Sequence, residues 1–126
     1  MTENELSAVI VDRLLFIHRN TGPGLFESVY EEIVYYELLK AGLEVKRQYP
    51  ISICWDGKKI RRIAFKADLL VNDRVILELK AVELLSPVHY KQVKTYLNLT
   101  GLKLGLLVNF NEILMKNGIH RVVNGI

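Results

Sequence analysis

The six residues Val75-Ile76-Leu77-Glu78-Leu79-Lys80 read as a buried strand except for their two charges. Side chains on a strand alternate faces, so Glu78 and Lys80 project to one side while Leu77 and Leu79 project to the other. Charged side chains are rarely fully buried unless they are paired or bound to a metal. Ten residues before Glu78 stands a second carboxylate, Asp68. A carboxylate and an ammonium side by side at a strand end, with another carboxylate nearby, can hold a divalent cation and position a nucleophilic water. Phosphodiester hydrolysis needs that chemistry. The competing reading is a simple ion pair between Glu78 and Lys80 at a sheet edge.

The hairpin between Asp68 and Glu78 decides between them. A two-residue loop at Asn72-Asp73 pairs Asp68 with Leu77 and puts the two carboxylates on opposite faces. A three-residue loop, Asn72-Asp73-Arg74, or a single bulge pairs Asp68 with Glu78. Their Cβ atoms would then lie ~5 Å apart, close enough to share one cation.

The rest of the chain supplies a frame for such a hairpin. Thr2 and Glu5 form a capping box, and Leu6, Val9, Ile10, Leu14 and Ile17 follow at helical spacing until Gly22-Pro23-Gly24. The pattern predicts a second helix from about Phe26 to Ala41, with Val29, Ile33 and Tyr36 on one side and Gly42 as its stop. Strands are expected over Leu43 to Gln48, Ile51 to Trp55, Ile60 to Val71 and Val75 to Lys80, with a turn at Asp56-Gly57. Ser86-Pro87 opens a helix that ends near Gly101. Leu104 to Asn109 is a further strand, and a turn or helix precedes His120 to Val123. The order points to one mixed α/β domain over residues 1–126, a sheet flanked by helices.

Composition excludes several classes. With 126 residues, 50% of them hydrophobic, the chain can bury a core. It has no membrane-length apolar run and no signal-peptide pattern. The lone Cys54 rules out an intrachain disulfide or a cysteine cage and points to a reducing compartment, so a cytoplasmic location is expected. No phosphate-cradling GxxxxGK[ST] loop is present. Net charge is only +3, but Lys46, Arg47, Lys58, Lys59, Arg61, Arg62 and Lys66 face the single acid Asp56 in that stretch. Such a patch suits a polyanion, or simply a solvated hairpin.

Two helical pairs add to the pattern. Glu27 and Glu31 are four apart with Tyr30 beside them, and Gln92 and Tyr96 are likewise four apart, so each pair shares a helix face. Taken singly, Glu27 suits a helix dipole and the second pair suits a helix with a polar edge. In order, glycine-x-x-glutamate, aspartate, glutamate-x-lysine and glutamine-x-x-x-tyrosine resemble the PD-(D/E)xK nuclease superfamily, in particular its RecB-like branch. Gly24 to Tyr30 is similar to the signature of the GxxExxY proteins. The likeness extends from His18 to Asn124, including Ala67 to Val71, Leu77 to Ala81 and Leu99 to Gly105. Ala67 stands where the superfamily name has proline, and the cysteines of iron–sulfur relatives are absent.

The resemblance implies a restriction-endonuclease-like core and assigns roles. Asp68 and Glu78 would bind Mg²⁺ or Mn²⁺, with the main-chain carbonyl of Leu79 as a further ligand. Lys80 would manage the attacking water and the developing phosphorane charge. Glu27 would complete the acidic cluster, and Gln92 and Tyr96 would hold the scissile strand or the water. Lys58, Lys59, Arg61, Arg62 and Lys66 are the expected contacts to DNA, with RNA as an alternative. His18 is a capping group, and His89 and His120 lack zinc spacing. The expected function is a metal-dependent nuclease; the rival is an accessory nucleic-acid-binding module of the same fold that does not turn over. Exposed apolar residues around Ile113, Leu114, Met115 and Ile119 suggest a homodimer.

Overall fold

The computed structural model describes residues 1–125. Its elements run α1 (Glu3–Thr21), α2 (Glu27–Lys40), β1 (Val45–Trp55), β2 (Lys58–Val71), β3 (Val75–Lys80), α3 (Pro87–Thr100), β4 (Leu104–Asn109), a single 3₁₀ turn (Met115–Asn117) and β5 (Ile119–Val123). The strands form one sheet in chain order. Every neighbouring pair is antiparallel except β3 and β4, which are parallel and joined through α3. A parallel pair needs such a crossover, and the Ser86-Pro87 start and the left-handed Gly101 end delimit it.

Helices cover both faces of this sheet. Leu6, Ile10, Leu14 and Ile17 of α1 and Tyr30, Val34 and Leu38 of α2 pack with Leu69, Leu77, Leu79, Leu106 and Val108. On the other side Tyr96 and Leu97 of α3 pack with Ile51, Leu70 and Ile76. The capping box of α1 forms as expected, with Thr2 and Glu5 exchanging hydrogen bonds of 2.9 and 3.1 Å. No helix among the described residues is long and apolar enough to cross a membrane.

Two local expectations change. The buried side of α2 is Tyr30, Glu31, Val34 and Leu38, whereas Val29 and Tyr36 are exposed and Ile33 is only half-buried. Apolar residues occur all around this helix, so periodicity alone does not fix its rotation; packing does. The two segments expected on either side of Tyr49-Pro50 are one strand, β1. Pro50 is tolerated because β1 lies at the sheet edge. At the tip of the β1–β2 hairpin, Asp56 and Gly57 have φ of 54° and 75°. Two successive left-handed residues match the twist of the flanking strands, and the Asp-Gly pair accommodates them at low cost.

Candidate active site

The β2–β3 hairpin takes the three-residue loop. Val71 pairs with Val75, Leu70 with Ile76 and Leu69 with Leu77, which sets Asp68 opposite Glu78. The ladder stops at Leu69 and Leu77, and the carboxylates take over from it. Glu78 Oε1 accepts from the Asp68 amide at 3.0 Å, and Asp68 Oδ2 accepts from the Leu79 amide at 2.8 Å. Each acid thus satisfies a main-chain donor on the facing strand where the strands part. The arrangement fixes both carboxyl groups before any ligand arrives.

Burial and mutual repulsion dominate the electrostatics. Glu78 is 4% exposed, and its carboxyl is pushed up to about 8, first by burial and then by the charge of Asp68. Asp68 is raised as well, again chiefly by burial, with Glu31 adding to the lift and the Leu79 amide opposing it. Lys80 lowers both, but it makes no ion pair within 4.0 Å among the described residues. The pair therefore carries negative charge that the chain only partly neutralises. Tyr96 also lies in this field: burial, then Glu78 and Asp68, push its phenol up to about 12 and keep it a neutral hydrogen-bonding group.

Two further residues contribute: Glu31, which the sequence marked only as the helical neighbour of Glu27, and Gln48, which carried no spacing signal. Glu31, on the buried side of α2, is held by Arg47 (3.1 and 2.9 Å) and by Gln48 (2.6 Å). The same Gln48 Nε2 lies 3.4 Å from Asp68 Oδ1, linking the helix carboxylate to the strand carboxylate. Gln48 has φ of 48°, a left-handed conformation in mid-strand that a non-glycine residue adopts at a cost. Its strain sits directly at the acidic pair.

Glu27 stands one helical turn before Glu31 and accepts from the Ala81 amide at 3.2 Å, just past the end of β3. The residues around it explain the motif. Gly24 has φ of 113°, open to glycine and strained for other residues. Tyr30 is fully buried, stacked on Phe110 at 4.1 Å between ring centroids, and its hydroxyl donates to Gly22 O at 2.6 Å and accepts from Leu25 N at 3.2 Å. Gly24 and Tyr30 thus shape the loop that delivers Glu27 to the strand end. Asn109, fully buried, holds the chain beyond Ala81 through Val82 N and Val82 O at 3.1 and 2.9 Å.

On α3, Tyr96 is buried toward the acids, whereas Gln92 lines a groove of about 330 Å³ with Phe65, Val88, Lys91 and Thr95. Lys58, Lys59, Arg61, Arg62 and Lys66 are all exposed along β2. Of the wider basic stretch, Arg47 is engaged by Glu31 and Lys46 by Asp73 at 2.7 Å. His18 does not cap α1 with its ring as expected: it is buried, with Nε2 2.8 Å from Glu112 O, because the loop after β4 packs against this end of the helix, and so it supports that loop. The apolar C-terminal group divides: Ile113 and Leu114 are exposed, Met115 is core and Ile119 is half-buried. Met115 therefore offers no interface, because it fills the space beneath α1.

A hard divalent cation fits the donor set at Asp68 and Glu78. A buried carboxylate, Glu78, and a half-buried one, Asp68, both with raised affinity for protons, stand on adjacent strands and are relieved by a positive charge between them. Among the described residues no group of three His, Cys, Asp or Glu side chains is placed to hold a metal, so main-chain and water oxygens would complete the shell. No curated protein and no solved structure gives a significant match to the chain. The model of the PD-(D/E)XK nuclease superfamily, whose nucleases generally use divalent metals, matches residues 4–122. With five mixed strands, three helices and the two acids at the strand parting, the chain belongs to the PD-(D/E)XK nuclease superfamily and has an α/β fold consistent with its restriction-endonuclease-like core.

Proposed function

We propose that the protein hydrolyses phosphodiester bonds in DNA with Mg²⁺ or Mn²⁺, and that it falls among the GxxExxY proteins of the RecB-like branch. The observation that carries this reading is the pair of carboxylates facing each other where β2 and β3 separate, with Lys80 beside them. Asp68 and Glu78, with the carbonyl of Leu79, would hold the cation. When bound, it supplies positive charge that acidifies water and stabilises charge on the phosphoryl oxygens. Lys80 orients or deprotonates the attacking water and offsets charge developing at the phosphorus. Glu27 extends the acidic cluster, and Gln92 and neutral Tyr96 steady the scissile strand or the water. Lys58, Lys59, Arg61, Arg62 and Lys66 bind the DNA backbone. A homodimer with Ile113 and Leu114 in its interface would bring two sites to a duplex.

A second reading, an accessory module that binds nucleic acid without turnover, draws support from the absence of a third closely set metal-ligating side chain among the described residues. Cleavage assays separate the two. Asp68→Asn and Lys80→Ala should each abolish Mg²⁺- or Mn²⁺-dependent cleavage of single-stranded, duplex or branched DNA while leaving binding largely intact. Failure of the wild-type protein to bind either cation at millimolar concentration, or metal binding without cleavage of any of these substrates, would leave the accessory reading.

A further inference from the structure

The β1–β2 arm extends well beyond the sheet. Strand β2 pairs with β3 only over Leu69–Val71, which face residues 45–47 of β1, so residues 49–67 form a two-stranded ribbon without a third strand alongside. Its base is anchored: Ile51 and Ala67 are buried with Tyr96, and Phe65 meets the Tyr96 ring at 5.4 Å between centroids. Its outer part is bare. Every residue from 54 to 63 is exposed, including Trp55 at 74%, Ile60 at 64% and Ile63 at 50%. The register shifts between Ile51 and Cys54 place extra residues on β2, which bends the ribbon and blunts it against pairing with another strand.

Resting on the reading that nucleic acid is the substrate, we propose that this tip is a wing selecting nucleic acid with unpaired bases beside a duplex. Trp55 stacks on an exposed base, and Lys58, Lys59, Arg61 and Arg62 grip the adjacent phosphates. The charge favours a polyanion, with four cations around Trp55 against the single acid Asp56. The bare aromatic narrows the class further, because stacking needs a base whose face is free, as in a single strand or at a fork. Ile60 and Ile63 supply the apolar flank that a parted duplex end presents itself to. From Gln48, at the acids, to Trp55 is seven residues of strand, a reach of at most ~23 Å or about seven base pairs. Cuts are therefore expected within about seven nucleotides of the fork.

Trp55 is the sole tryptophan, so its emission reports on the wing directly. The test titrates the full chain, in chelator to prevent cleavage, with forked DNA, a blunt duplex of equal length, a single strand and heparin. Forked and single-stranded DNA should quench Trp55, while blunt duplex and heparin bind without quenching. Trp55→Ala should weaken fork binding about 5- to 100-fold and blunt-duplex binding little, and Trp55→Phe should restore most of the loss. Fork binding seen by anisotropy with unchanged Trp55 emission would overturn the wing, as would equal losses for fork and blunt duplex in Trp55→Ala. Quenching by the fork without cleavage on adding Mg²⁺ or Mn²⁺ would uphold the wing and reject the hydrolase. Cleavage indifferent to the fork and to Trp55→Ala would reject the wing and leave the hydrolase.

Discussion

Glu78→Gln should make the metal-free protein more stable at alkaline pH than the wild type. The Glu78 carboxyl is lifted from 4.5 to about 8 by burial and by Asp68. A carboxyl raised on folding binds its proton more tightly in the native state, so its contribution is complete below pH 4.5 and is lost as pH rises through 8. At about 1.4 kcal/mol per unit, the lift is worth on the order of 4–5 kcal/mol. Glutamine keeps the oxygen that accepts the Asp68 amide but carries no charge at any pH. In urea melts with chelator, the two proteins should therefore have similar stability near pH 4.5. The variant should gain about 2–5 kcal/mol over wild type by pH 9. Millimolar Mg²⁺ should close that gap by stabilising the wild type alone. Parallel stability curves for wild type and variant across this range would refute the account of the site as a pair of strained acids awaiting a cation.

Charge reversal of Arg61 and Arg62 should weaken DNA binding and flatten its dependence on salt by about 0.9 in the log–log slope per lost phosphate contact, with metal affinity unchanged by calorimetry. Tyr30→Phe should cost about 1–3 kcal/mol in urea melts, because Gly22 O and Leu25 N lose their shared partner. Sedimentation at micromolar concentration should reveal a dimer that Ile113→Lys returns to monomer; a wild-type protein that sediments only as monomer removes the interface from the account.

What the sequence made legible depended on local rules. The candidate registers of the hairpin, a two-residue Asn72-Asp73 loop against a three-residue Asn72-Asp73-Arg74 loop or a bulge, could be framed from residue spacing and strand parity, and the fold selects the three-residue loop that faces Asp68 with Glu78. The ends of α1 and α3 were written in Thr2-x-x-Glu5, Ser86-Pro87 and Gly101. The rotation of α2 was not, because apolar side chains lie on all its sides and only the sheet beneath selects Tyr30 and Glu31. Glu31 was visible as a neighbour of Glu27, yet its approach to Asp68 depends on that rotation. Gln48 was invisible: a glutamine in a cationic strand carries no spacing signal, and its reach depends on a left-handed backbone that no local residue announces.

The carboxylate pair is separated by ten residues across a tight turn, whereas β4 joins β3 only after the long excursion through α3. Closing the first loop costs less chain entropy than closing the second, and local contacts are the ones that form early. The two acids are consequently brought face to face by a local step of assembly, ahead of the long-range closure that builds the parallel half of the sheet and buries them. A divalent cation present during synthesis would meet a nascent hairpin already shaped to receive it, and could act as a folding aid as well as a reagent.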